Sequence, residues 1–265
     1  MNHLLRAYAP ISDTGWSEID REVRQRLVPA LAARRLVDFS GPAGWEHSAV
    51  DLGRVTDIEP PAAGMRASRR CVLPLAELRA DFTVSRAELR DLDRGAVDTD
   101  FSAVDAAARR IAEAENVAVF HGWAGAGVVG IAEAAAAEPI AAGTTFADYP
   151  KYVAKAIETL LSGGVGGPYG LALGPDSYTG VVETEHGGLV VLDHLREVLG
   201  GPMVRSPGVV GAVVLSLRGG DFLFESGQDL SVGYEHHDAE AVHLYIEESF
   251  TFRVATPEAA VVLRR

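Results

Sequence analysis

The stretch VHLYIEESFTFRV at 242–254 decides the fold. Val242, Leu244, Ile246, Phe250, Phe252 and Val254 share one parity, and Glu248 is the interruption. Period-two alternation over this length predicts one β-strand with one buried face. It exceeds the usual strand of about 5–6 residues, so it predicts an extended sheet forming the spine of an elongated subunit.

Upstream of it, Gly211–Leu217 and Tyr169–Gly174 read as short buried strands, and Pro175–Val182 and Val191–Leu199 as short helices. Asp148 followed by Pro150 marks a helix start, Val153, Ile157, Leu160 and Leu161 give its apolar face, and Gly163–Gly164 ends it. Residues 101–120 form a long Ala-rich helix with Val104, Ala108, Ile111 and Ala118 on one side. The order of elements is mixed rather than alternating, which argues for α+β over a regular α/β sheet.

Near the N-terminus, Ser12 is a helix cap. Trp16, Ile19, Val23, Leu27 and Leu31 then follow at helical spacing, and Pro29 kinks or ends the helix. The stripe is narrow, so this amphipathic helix must lie on something. It reads either as ordinary core or as a helix on the inner wall of an assembly, leaving a groove for a partner peptide. Val50, Leu52, Val55 and Ile58 read as extended chain, 59–64 (EPPAAG) as a turn, and Arg70–Leu75 as the return strand. An isolated two-stranded hairpin is marginal in water, so this one is expected to pack on another chain.

Composition narrows the function. The chain has 265 residues, 48% hydrophobic, with a net charge of −13. Such a surface repels nucleic acid. No apolar run reaches the roughly 20 residues that span a bilayer, and MNHLLRAYAPISD carries no signal-peptide pattern. A cytoplasmic, membrane-free protein is expected. Cys71 is the single cysteine, so an intramolecular disulfide is excluded.

Chemistry-bearing motifs are sparse. GAGVVG at 125–130 is an intact GxGxxG, and an NAD-binding oxidoreductase built on it is the alternative reading. Against that, Val117–Phe120 continues the helical pattern begun at Val104, and Asp148 reads as a helix cap rather than a ribose-gripping acid. GGVGGP at 163–168 lacks the Gly-Lys-Ser/Thr of a P-loop. His236–Asp238 read as a turn and His243 as a residue of the non-core face, so no metal site is expected. No GxSxG or HExxH occurs, and no enzyme activity is expected.

Several segments together resemble the family 1 encapsulin shell proteins, also described as linocin-type bacteriocins. They are APIS at 9–12 with Trp16, GRV at 53–55, LRDLDRG at 89–95, GPY at 167–169, RGGDF at 218–222, GQDLSVGY at 227–234 and SFTFRV at 249–254. The resemblance implies the Hong Kong 97 type capsid fold of tailed phages. It implies an N-terminal helix arm over 1–40, an extended loop over 45–80, a peripheral domain over 81–140 and 222–265, and an axial domain over 141–221. It implies self-assembly into an icosahedral cage of about 60 copies. It also implies a cargo enzyme, a dye-decolourising peroxidase or a ferritin-like protein, bound through the cargo's short C-terminal peptide. By matching position the docking residues are Val28, Arg34, Asp38, Asp229 and Leu230, and the five-fold pore loop is Glu183, Thr184, Glu185, His186, Gly187 and Gly188. Ala87 stands where flavin-binding relatives carry tryptophan, so no cofactor is expected.

Overall fold

The computed structural model describes residues 3–143, 145–186 and 189–264. After a 3-10 turn at Arg6–Tyr8 come α1 (Asp13–Ala30), a second such turn at Ala33–Arg35, and β1 (Asp38–Ser40). β2 (Ala49–Ile58) and β3 (Ala67–Pro74) form a hairpin, followed by β4 (Ala76–Ser85), α2 (Arg86–Asp93) and α3 (Ser102–His121). Next are α4 (Ile131–Ala134), β5 (Ile140–Ala141), α5 (Tyr149–Ser162), β6 (Tyr169–Leu173) and α6 (Pro175–Glu183). β7 (Glu185–His186), β8 (Leu189–Val190), α7 (Val191–Leu199), β9 (Met203–Arg205) and β10 (Ala212–Ser216) follow. β11 (Phe222–Ser226), β12 (Ser231–His237), β13 (Ala241–Val254) and β14 (Ala260–Arg264) complete the described chain.

β13 is the predicted spine. β4 lies along one edge of it, from Ala241↔Ser85 to Phe250↔Ala76. β12 and β11 run end to end along the other edge, and β1 adds parallel to β11. The expected single buried face holds only in part: Tyr245 is buried opposite Val242, Leu244 and Ile246, and from Glu248 to Phe252 every residue is buried. Glu248 does not break the pattern: it sits within the core at 2% exposure.

Ser12 caps α1 as predicted, its Oγ accepting the Gly15 N–H at 3.0 Å. The α1 stripe Trp16, Ile19, Val23 and Leu27 is buried in one core with Val104, Ala108 and Ile111 of α3 and Val242, Leu244 and Ile246 of β13. Apolar burial of this kind stabilises by about 25 cal/mol per Å². Pro29 falls in the last turn of α1, near the predicted helix end.

A second sheet has the order β5-β14-β10-β6-β9. All of β6 and β10 is buried, as expected of strands covered on both faces. α5 and α7 pack on it through Val153, Leu160, Leu195 and Leu199. β14 belongs to this sheet, although the sequence division groups 260–264 with the peripheral segments. Likewise β4 joins β13 from Ala76 onward, inside the span read as extended loop.

The β2–β3 hairpin stands apart from both cores. Val55 (62% exposed), Ile58, Met65 and Val72 all face solvent along it. A bulge between Asp51 and Arg54 is taken up by Gly53 at φ +63°, whose N–H donates to Asp51 Oδ1.

Two local readings are corrected, and the helical reading of 117–120 holds. Asp148 does not cap α5: its backbone is already helical and its side chain makes no capping bond, since a 3-10 turn at Phe146–Asp148 runs straight into the helix. His236 and His237 lie in β12, not a turn. The turn follows at Asp238, whose Oδ1 accepts from the backbone N–H groups of Glu240 and Ala241. The glycine motif 125–130 follows helix α3 rather than a strand, and α4 after it has four residues. Trp123 and Val128 close it as a small antiparallel bridge. Gly130 is required by close packing: a Cβ there would sit 2.2 Å from the Gly122 nitrogen.

Candidate functional site

Arg34 sits on the short turn between α1 and β1, and its guanidinium reaches three elements at once. Nε donates to Glu115 Oε2 of α3 at 2.7 Å, Nη2 to Glu248 Oε2 of β13 at 2.8 Å, and Nη1 to Asp229 Oδ1 at 2.6 Å. The rings of Phe39 and Phe224 lie 4.9 and 5.5 Å from Arg34 Cζ. Burial alone would lower the pKa of Arg34; the charges of Glu115 and Glu248 and the bond to Asp229 outweigh it and raise it. Arg34 is charged under every relevant condition.

Above this cation lies a cleft of about 350 Å³ between the C-terminal half of α1 and residues 229–232. Leu27, Leu31, Leu230 and Val232 give it an apolar wall, and Val28, 65% exposed, stands at its rim. Arg34 and Asp229 form its polar floor. At the far end Arg6 makes a two-pronged ion pair with Asp20 and lies 4.1 Å over the Trp16 ring. A cleft with an apolar wall and charged groups (Arg6, Asp20, Arg24, Arg34 and Asp229) along it suits an extended or helical peptide of mixed character.

The structure therefore brings together Val28, Arg34, Asp229 and Leu230. Asp38 is elsewhere: it lies on β1, its Oδ2 accepting the Gly220 N–H at 2.7 Å, and it does not line the cleft. Sequence reasoning missed Glu115 and Glu248. Both carried a signal, a single carboxylate set inside an apolar stripe, which in a buried position demands a cation.

In the segment 183–186, Glu183 closes α6, Thr184 Oγ1 donates to the Gly180 carbonyl at 2.6 Å, and Glu185 and His186 pair with Val190 and Leu189. Gly187 and Gly188 lie outside the described residues. Ala87 is exposed in the first turn of α2, its N–H bonded to Ser85 Oγ. His236 stacks on His243 at 4.0 Å, and His243 reaches Asp238 at 3.1 Å. Among the described residues, no group of three metal-ligating side chains converges, and no helix is long and apolar enough to cross a membrane.

Residues 1–251 match the family model described as "Encapsulating protein for peroxidase", the linocin M18 family. The chain belongs to this encapsulin family. A type 1 encapsulin shell protein of Rhodospirillum rubrum is 49% identical over 271 residues, covering 100% of this chain and 97% of the relative. One from Rhodococcus erythropolis is 42% identical over 263 residues, covering 99% and 100%. Among solved structures, a virus-like particle from Pyrococcus furiosus superposes with a TM-score of 0.64 at 19% identity, over 94% of this chain and 99% of that one. The capsid of Myoviridae phage XM1 gives 0.53 at 11%, over 86% and 88%. The fold of this encapsulin-family chain is thus the phage capsid fold, mixed helix and sheet, with β13 as its spine.

Proposed function

We propose that this chain is the shell subunit of an encapsulin nanocompartment in the bacterial cytoplasm, with no catalytic duty of its own. Copies close into an icosahedral cage of about 60 subunits, and the cage holds a cargo enzyme by the cargo's short C-terminal peptide. The observation that carries the assembly reading is the β2–β3 hairpin. It is ten residues long on one strand and eight on the other, and it leaves Val55, Ile58, Met65 and Val72 exposed. A lone hairpin of this kind has nothing to bury its apolar side chains against except another molecule.

The cleft beside α1 supports the cargo reading, with Leu230 and Val28 as apolar contacts; the loop at 183–188 is proposed as the pore lining on the family resemblance. The family description favours a peroxidase over a ferritin-like protein as cargo. Negative-stain electron microscopy of the purified protein tests the assembly and is expected to show hollow spheres; a monomer or dimer at micromolar concentration overturns it. Leu230→Asp tests the groove: intact particles emptied of cargo are expected, and unchanged co-purification of cargo refutes that assignment.

A further inference from the structure

One guanidinium, that of Arg34, faces three carboxyl groups. Asp229 is 42% exposed and screened by water, whereas Glu115 and Glu248 are 0% and 2% exposed. Each buried glutamate spends its Oε2 on Arg34. Each has its Oε1 buried with no hydrogen-bond donor opposite it. Two ionised carboxylates cannot share one cation out of water without a large penalty, and ionised carboxylates only accept. A proton on one of them removes a charge and supplies the missing donor.

We propose that Glu115 and Glu248 form a buried proton-binding site, holding one proton between them at neutral pH, and that this proton keeps Arg34 seated. The joint is then one carboxyl, one carboxylate and one guanidinium. It fastens the turn after α1 to the spine helix and the spine strand at a single point. The charged groups facing the pair are Arg34 from the turn and Asp229 from the loop before β12. β1 and β11 contribute only the rings of Phe39 and Phe224, and the β4 residue opposite Glu248 is Leu78. Burial pushes both glutamates up, Glu248 well above the usual carboxylate range, with Arg34 opposing.

A carboxyl raised in the folded state is bound more tightly there than in the unfolded chain. Its contribution is full below the ordinary glutamate value and is lost as pH rises toward the raised one. Alkaline solution therefore loosens Arg34, with the proton leaving to solvent and two buried negative charges remaining on one cation. The proposal stands on this joint alone and does not depend on what fills the cleft above it.

The test uses purified assembled protein. Infrared spectra at neutral pH are expected to show the carbonyl band of a protonated carboxylic acid that disappears on alkaline titration. Backbone amides of Arg35, Leu36 and Val37, bonded into the Arg34 turn, are expected to lose protection over the same range, by up to about tenfold per pH unit for one proton. Glu248→Gln, neutral and able to donate to Glu115, is expected to remove both the band and the pH dependence. Glu115→Gln serves the same purpose if Glu248→Gln does not fold. A wild-type protein with no such band at neutral pH overturns the proposal, as does a Gln variant that keeps both signatures.

Discussion

Asn116 of α3 accepts a hydrogen bond from the backbone N–H of Ala33 at 3.0 Å, in a site closed to water. Its amide nitrogen donates to the carbonyls of Ala30 and Pro207. One side chain thus joins the end of α1, the spine helix and the segment before β10. Asn116→Ala leaves the buried Ala33 N–H and the half-buried Pro207 carbonyl without this partner, while the Ala30 carbonyl keeps the Ala32 N–H, and is expected to destabilise the subunit by about 3 kcal/mol. A thermal-unfolding midpoint equal to that of the unaltered protein refutes this.

Two positions on α1 separate the buried core from the cleft rim. Ile19 is wholly buried, and Ile19→Ala is expected to cost about 3 kcal/mol through lost burial and a cavity. Val28 stands at the cleft rim, and Val28→Ala is expected to change stability by less than about 0.5 kcal/mol. Chemical denaturation of the two variants side by side checks the contrast.

The glycine motif gives a third prediction. Gly130→Ala forces a Cβ into the Gly122 backbone and is expected to destabilise by roughly 3 kcal/mol or to abolish soluble protein. Gly125→Ala meets nothing nearer than the Trp123 ring nitrogen at 3.3 Å and is expected to be mild. Millimolar NAD(H) is expected to leave the melting temperature unchanged; a rise of several degrees restores a cofactor role for this loop.

His121 ends α3, and its Nε2 accepts the Val210 N–H at 3.0 Å. Burial pulls its pKa below the ordinary histidine value. The neutral ring is the folded form, so its contribution is present above the ordinary value and lost as pH falls through the lowered one. Thermal scans from neutral to mildly acidic pH are expected to show this loss, and His121→Gln, which keeps an acceptor and does not titrate, is expected to flatten it. Equal slopes for both proteins argue against a role for His121.

Elements with strong local signals were legible. β13 declared itself by parity, α1 by its stripe and its serine cap, and α5 by Pro150 and its glycine stop. What local pattern does not encode is which strands meet. β4 pairs with β13 across more than 150 residues of chain. Glu248 read as a flaw in a strand because its partner, Arg34, is remote in sequence. His236 and His237 misled because polar residues at the exposed end of an edge strand look like a turn. The cleft residues came from family resemblance rather than from pattern; four converge, and Asp38 is held by its bond to Gly220 instead.

β14 runs between β5 and β10, so one of the inner strands of the second sheet comes from a segment that follows the whole of β13. Without β14, β5 has no partner in that sheet and β10 is paired along one edge alone, by β6. Nor can α1 be seated ahead of the rest, since its apolar stripe is buried against α3 and β13. Both cores are thus closed by segments beyond residue 240, β13 in one and β14 in the other, and neither is complete in a chain cut short there.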